Sequence, residues 1–282
     1  ILMKKIAILV VVYKELLHEV ITFKSLLEVS NVKDVHFYIW DNSPLEFSQI
    51  PLSEFIANTG FTNVRYNRTV NNEPLSKIYN KVTDYYINDN DFDFVCLFDQ
   101  DSKLSPCYIN EICSVDDKIL KFLLLPRVIS LRKKVISPRV EPMIKKFFSA
   151  DSLGDTELFV PNTICESKSF FAVGSGMVLS STLWKTGLRF DEKLSFYGVD
   201  KEFCIMYAQG NEHFYLLNAT IEHDISHENR EMKSVILWRY DNVMMYRKYQ
   251  YMKYTNYHPL LINIYFKFHR LLKIIMLKFI YD

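Results

Sequence analysis

The sequence predicts an α/β fold: a Rossmann-like mixed sheet, mainly parallel, flanked by helices and extended by a C-terminal helical appendage. Three observations carry this. The first hundred residues alternate apolar, strand-like runs with helix-like stretches. The first run, Ile6–Val12, is apolar throughout, as a strand covered on both faces must be. At the other end, residues 260–281 carry Leu, Ile, Phe and Met throughout, interrupted by Lys267, Arg270, Lys273 and Lys278.

After the first strand, residues 15–27 have a helical pattern, and residues 35–40 form a second strand ended by the turn Asp41-Asn42-Ser43-Pro44. Residues 64–66 make a short third strand. Residues 74–86 are helical, with Pro74 suited to a first turn. The fourth strand, 92–98, ends on Asp99. In parallel sheets ligands bind beyond the carboxyl ends of the strands, which brings Asp41, Asp99 and Asp101 to one rim. Residues 119–161 read as strands and a mobile loop, with a basic patch at Arg132-Lys133-Lys134 and a loop composition over 149–154. Residues 173–179 are strand-like with glycines that permit close approach of a ligand. Two helices follow, 181–186 before Gly187 and 199–208 before Gly210.

The bulk numbers narrow the class. A chain of 282 residues suffices for one large domain and a short appendage. With 49% hydrophobic and 15% aromatic residues it has ample core material, which excludes broad disorder. Balanced charge, 34 basic against 33 acidic side chains, argues against a nucleic-acid partner. Five scattered cysteines without a CxxC pair exclude a disulfide framework and a cysteine zinc site, and fit a reducing cytoplasm. The first residues show no cleavable signal pattern, and no 18 consecutive uncharged apolar residues predict a transmembrane helix.

The chemistry gathers at Phe98-Asp99-Gln100-Asp101-Ser102. Two carboxylates at i and i+2 directly after an apolar strand are costly unless something uses the charge. Mg²⁺ or Mn²⁺ shared with a nucleotide diphosphate is one use, because hard cations take carboxylate and phosphate oxygens together. A strand-end Asp turn that caps the next helix is the other reading. Asp41 fits either a nucleobase N–H or an Asx turn. The helix opened by Asn72-Glu73-Pro74 presents an N-terminus that favours anions, where Lys77 fits either a phosphate or a solvated face.

Taken together, these residues resemble the family 2 glycosyltransferases of GT-A fold, especially bacterial rhamnosyltransferase-like members. The resemblance spans roughly residues 4–247. Val12-Tyr13 resembles the family's first nucleotide-contacting strand end, and Trp40-Asp41-Asn42-Ser43 its D-N-x-S turn, which implies that Asp41 contacts the base. Residues 72–80 resemble N-x-G-I-A-x-A-x-N, with Pro74 in place of the glycine, implying donor contacts from Asn72, Lys77 and Asn80. Residues 98–102 match the F-D-Q-D-S form of the metal-binding DxD motif, implying that Asp101 ligates the ion with Asp99 and Gln100 at the nucleotide. Gly174-Ser175-Gly176 resembles the acceptor-side G-S-G. Residues 197–204 resemble D-Y-V-D-x-E-W-C, with Gly198 in place of a bulky residue and Met206 in place of an arginine further on. That match implies a general base at Asp200 and an acceptor-side Glu202. Ile221-Glu222-His223 resembles the strand end whose histidine is a further metal ligand, which ranks His223 above His227.

The resemblance implies a metal-dependent, inverting transferase of hexosyltransferase type using Mn²⁺ or Mg²⁺. Its donor is a nucleotide sugar, dTDP-rhamnose first, then UDP-galactose, its furanose isomer or UDP-glucose. Its acceptor is a hydroxyl on a glycan, lipid-linked in a growing polysaccharide. It also divides the chain into a catalytic domain over 1–250 (donor half about 1–103, acceptor half 104–250) and a C-terminal amphipathic basic helix over 251–282. Asp200 reads otherwise as an ordinary helix cap. The four tail cations fall within an arc of about 140° at roughly 100° per residue. That is the pattern of a helix lying on an anionic membrane, here the inner face of the cytoplasmic membrane, or of a helix packed on protein with a solvated basic face. Two rivals stay in view. A sugar nucleotidyltransferase needs a glycine-rich basic loop where this chain has Tyr13-Lys14-Glu15-Leu16-Leu17. A non-catalytic carbohydrate- or membrane-binding relative has no use for intact Asp99, Asp101, Asp200 and His223.

Overall fold

The structure, a computed structural model, describes residues 4–130, 134–144, 156, 159–223 and 232–281. Arg132, Lys133, the 149–154 loop and His227 lie outside the described residues. The chain divides into two compact units, residues 1–141 with 152–224, and residues 142–151 with 225–282.

In the first unit β1 (Ile6–Val12) is buried at every position, as its unbroken apolar sequence requires. It pairs in parallel with β2 (His36–Asp41) and β4 (Phe94–Asp99), and β2 pairs in parallel with β3 (Val64–Arg68). The register sets Val12 opposite Asp41 and Val11 opposite Asp99, so both acidic strand ends meet at one rim. Between these strands run α1 (Ile21–Leu26), α2 (Leu52–Thr59) and α3 (Leu75–Ile87). Helix α3 buries Ile78, Tyr79, Val82 and Tyr86, the spacing of one helical face.

The second half adds β5 (Ser102–Leu104), α4 (Tyr108–Ser114), β6 (Leu124–Ile129), β7 (Val135–Ser137), β8 (Arg139–Val140), β9 (Thr163–Glu166), β10 (Phe170–Phe171), β11 (Val178–Ser180), α5 (Ser181–Trp184), α6 (Val199–Gly210) and β12 (His213–His223). Among the described residues the main sheet runs β3-β2-β1-β4-β11-β6-β12-β5, with β7 beside β6 and β9 beside β12, and β8 pairs separately with β10. It is mixed because β11 is antiparallel to both β4 and β6, while β6 and β12 are parallel. Strand β12 carries an irregularity: Leu216 pairs with Leu125, but the next partner of β6, Arg127, faces Thr220. The Glu111 carboxylate on α4 accepts from the Asn218 and Ala219 N–H groups inside that bulge, at 2.5 and 2.7 Å.

The helix expected over 181–186 ends at Trp184, and two elements depart further from their patterns. The helix expected over 15–27 is confined to Ile21–Leu26, because the Gln49 amide bonds the Leu17 N–H and the Glu15 carbonyl and holds that segment as a loop. The strand expected over 173–179 begins only at Val178, because Gly176 turns the chain at φ +85°. A Cβ at Gly176 would stand 2.7 Å from Pro126 Cγ and 2.9 Å from Ile221 Cγ1, so only glycine fits this turn.

In the second unit α7 (Lys233–Tyr254) and α8 (Pro259–Tyr281) form an antiparallel pair, with Tyr251 near Ile262 and Phe266, and Asp241 bonded to Arg270. The second unit takes in residues 225–282 together with 142–151. Apolar and charged residues are spread all round α7, which therefore gives no amphipathic signal of its own. No helix among the described residues is long and apolar enough to cross a membrane.

Candidate functional site

Asp99 ends β4, Asp101 follows in the turn to β5, and His223 ends β12, which pairs with β5 so that His223 faces Ser102. One ligand atom from each of the three falls within 4.8 Å of the others. His223 Nδ1 lies 3.3 Å from Asp101 Oδ1 and 3.1 Å from Ser102 Oγ, while Nε2 lies 4.0 Å from Asp99 Oδ2. The side chains of Asp99 and Asp101 remain 37% and 33% exposed, and that of His223 15%. Desolvation above all, with Asp101 and Asp200 adding to it against the opposing pull of His223, brings the Asp99 carboxyl up to about 6. Two carboxylates and an imidazole at this spacing form a donor set that could hold a divalent cation.

The second carboxylate centre is Asp200 in the first turn of α6. The turn before it depends on Gly198 at φ +80°, a conformation that side chains rarely adopt, so the departure from the family pattern at 198 belongs to the turn that presents Asp200. Burial raises the Asp200 carboxyl, while the N–H groups of Lys201 at 2.9 Å and Gly174 at 3.3 Å favour its charged form. Beside it Glu141, itself buried, bonds Lys201 Nζ at 2.5 Å and Arg139 at 2.8 and 2.9 Å. This charge cluster follows from tertiary packing alone and has no sequence motif.

The turn of Gly174 and Ser175 joins the two centres. Gly174 N–H donates to Asp200, while the buried Ser175 Oγ accepts from Asp99 N–H at 3.1 Å and lies 2.6 Å from Ser102 Oγ. A Cβ on Gly174 would stand 3.6 Å from Asp200 Cβ and 3.9 Å from the Tyr79 hydroxyl, so glycine keeps this space open. Burial, with Asp99 and Asp200 close by, pushes the Tyr79 hydroxyl well above its ordinary value and keeps it protonated. Tyr79 stands inside a motif that the sequence reading quotes, yet only the fold shows which way α3 turns it.

The residues expected at the nucleotide are organised around β2. Val12 carbonyl accepts from Asn42 N–H, Tyr13 N–H donates to Gln100 Oε1 at 2.7 Å, and Lys14 N–H donates to Ser43 Oγ at 2.7 Å. The Asn42 amide bonds both backbone groups of Glu73, which ties the loop of Asn72 to this rim. Tyr13 and Asn72 are exposed. Lys77 is also exposed and lies 3.7 Å from Glu73 in the loop just before its helix.

Three expected ligands are placed otherwise. Asp41 is 0% exposed, with Oδ1 accepting from Ser43 N–H at 2.9 Å and Oδ2 from the Tyr66 hydroxyl at 2.7 Å. Asn80 clamps the chain after Gly187, bonding both backbone groups of Phe190 and the Glu192 carboxylate. Glu202 is fully buried and presents no surface to an acceptor. A polar side chain on an apolar helix face reads alike in sequence as ligand or as clamp.

No protein-family description and no curated protein matches the sequence. Among solved structures the chain is similar to S. aureus TarS, with a TM-score of 0.52 and 12% identity over 93% of this chain and 42% of that one. It is similar to TarS 1–349 in complex with UDP-GlcNAc, with a TM-score of 0.51 and 12% identity over 93% of this chain and 70% of that one. A third neighbour is GalNAc-T7 with UDP, GalNAc and Mn²⁺, at a TM-score of 0.58 and 11% identity, covering 88% and 50%. The chain spans 42% of the length of the first. These likenesses show the fold, the mixed α/β GT-A architecture that the sequence resemblance implies.

Proposed function

We propose that the chain is an inverting, metal-dependent glycosyltransferase that moves a sugar from a nucleotide diphosphate to a glycan hydroxyl. The observation that carries this reading is the turn of Gly174 and Ser175, bonded to Asp200 on one side and to Asp99 and Ser102 on the other. It holds the Asp200 carboxylate beside the cluster of Asp99, Asp101 and His223, which supports a base next to a metal site, the two functions that such a transfer needs.

Asp101 and His223, with Asp99 beside them, would hold Mn²⁺ or Mg²⁺, which when bound neutralises charge developing on the departing diphosphate. Asp200 takes the acceptor proton. Its raised affinity makes it a stronger acceptor than a free carboxylate, and the Lys201 and Gly174 N–H groups keep it charged until then. The Tyr79 hydroxyl donates toward whatever oxygen enters the space beside Gly174. Val12, Tyr13, Gln100 and the Asp41–Ser43 turn form the base end, with Asn72 and Lys77 on the exposed side toward phosphate. Asp41 serves there by fixing Ser43 and Tyr66.

Resemblance supports dTDP-rhamnose as donor and a lipid-linked polysaccharide, reached from the cytoplasmic face, as acceptor. The resemblance also keeps UDP-galactose, its furanose isomer and UDP-glucose in the panel, and the neighbours' complexes with UDP-GlcNAc and with UDP and GalNAc add UDP-GlcNAc and UDP-GalNAc. Thermal-shift screening of these donors with Mn²⁺ or Mg²⁺ selects one, and diphosphonucleotide release then reports turnover. Asp200→Asn is expected to lower turnover by about 10²–10⁴-fold while metal-dependent nucleotide binding persists. Transfer near the wild-type rate in that variant removes Asp200 as the base, and absence of any metal-dependent nucleotide binding in the wild type removes the reading.

A further inference from the structure

Helix α8 has two apolar faces. Ile262, Phe266 and Leu277 are buried, with Ile262 and Phe266 packed beside Tyr251 of α7. Leu260, Ile264, Phe268, Leu271, Ile275 and Phe279 recur at steps of three and four residues, and at about 100° per residue this second stripe points away from the first. All six are between 42% and 85% exposed. A helix that is apolar on opposite sides is stable when both are covered, and a continuous stripe of this length marks an interaction surface.

We infer that the outer stripe of α8 lies on an anionic lipid surface. Charge selects this occupant. Residues 233–281 carry nine basic side chains and one acidic, leaving 25 basic and 32 acidic elsewhere in the chain. Helix α8 itself has no acidic residue. Arg270 is paired with Asp241, whereas Lys267 and Lys278 lie on the flank next to the outer stripe and are exposed. Their alkyl stems extend along the apolar face while the ammonium groups reach a headgroup layer. A second copy seated on the same stripe would bring two strongly basic hairpins together, so self-pairing is opposed where lipid is favoured. With no helix among the described residues long and apolar enough to cross a bilayer, α8 would lie in the interface plane. This inference is independent of the proposed chemistry.

The test is co-sedimentation of the full chain with vesicles of phosphatidylcholine alone or mixed with phosphatidylglycerol. Binding to the mixed vesicles is expected, weakening as salt rises. Lys267→Gln with Lys278→Gln should lower partitioning by about thirty-fold. Phe268→Ser with Leu271→Ser and Ile275→Ser should lower it at least about tenfold even at low salt. These positions are exposed, so helicity and melting temperature stay at wild-type values and separate docking from folding. Equal recovery with and without mixed vesicles overturns the inference. So does a concentration-dependent dimer in light scattering that the serine variant abolishes, because the stripe is then a self-association surface.

Discussion

Asp41 and Asp99 end the two strands on either side of β1, each after an apolar run and each at the head of a turn. Their fates differ. Asp41 is wholly buried, and the Ser43 N–H and Tyr66 hydroxyl occupy one oxygen each. Asp99 is partly open, faces a second carboxylate and a histidine, and holds its proton up to about pH 6. A buried carboxylate whose oxygens are met by protein donors stabilises a fold. A carboxylate pressed against another keeps its charge only at a cost, which a proton or a cation offsets. Sequence context makes the two alike; what differs is whether neighbouring elements bring donors or further acids.

The largest effect that would sharpen this contrast is expected from Asp101→Ala. Metal-dependent turnover should fall on the order of 10²–10³-fold, with nucleotide binding in EDTA unchanged. Metal-free stability in urea should stay within about 1 kcal/mol of wild type, since the lost group is half-open and repels Asp99. Asp41→Asn should do the opposite: an amide NH₂ then opposes a donor, costing about 1–3 kcal/mol in urea midpoints with turnover changed less than about tenfold. Should Asp41→Asn abolish turnover at unchanged stability, the contrast between a structural and a ligand-seeking carboxylate breaks.

A smaller effect follows from the raised Asp99. Because its folded value lies near 6 and its ordinary value at 3.8, the folded state holds more protons between those limits. This group's contribution therefore lowers metal-free stability as pH rises from about 4 to 6. A cation that displaces the proton regains it, so the Mn²⁺-induced rise in melting temperature should be larger at pH 7 than at pH 5. A rise independent of pH would place the ion away from Asp99. The smallest effect belongs to Lys77→Ala: its exposed contact with Glu73 should contribute less than about 0.5 kcal/mol. If nucleotide affinity nonetheless drops more than about tenfold, Lys77 reaches the phosphate when donor is bound.

The sequence makes the parallel core legible because β1, β2 and β4 are continuous apolar runs that end on acids. The acidic pair, its histidine and Asp200 are legible through motif order, and the fold gathers the first three into one cluster and ties Asp200 to it through the turn of Gly174 and Ser175. What stays hidden depends on partners distant in the chain. Asn80 shows itself as a clamp only once Phe190 is beside it, and the Arg139–Glu141–Lys201 cluster spans 62 positions without a pattern. Helices α2 and α7 escape as well: α2 follows a proline-bounded loop, and α7 distributes its charges evenly.

The bulge in β12 has a consequence for His223. Two residues more are used on β12 than on β6 between Leu216 and Thr220, an even number, so the alternation of faces survives while the strand is drawn in by about 6–7 Å at 3.3 Å per residue. Without that take-up of slack, His223 would overshoot Ser102 by two positions and miss the acidic pair. The Glu111 carboxylate that grips the bulge thus works as a length gauge for the strand, and the reach of the histidine is set from α4, at a residue outside the acidic cluster.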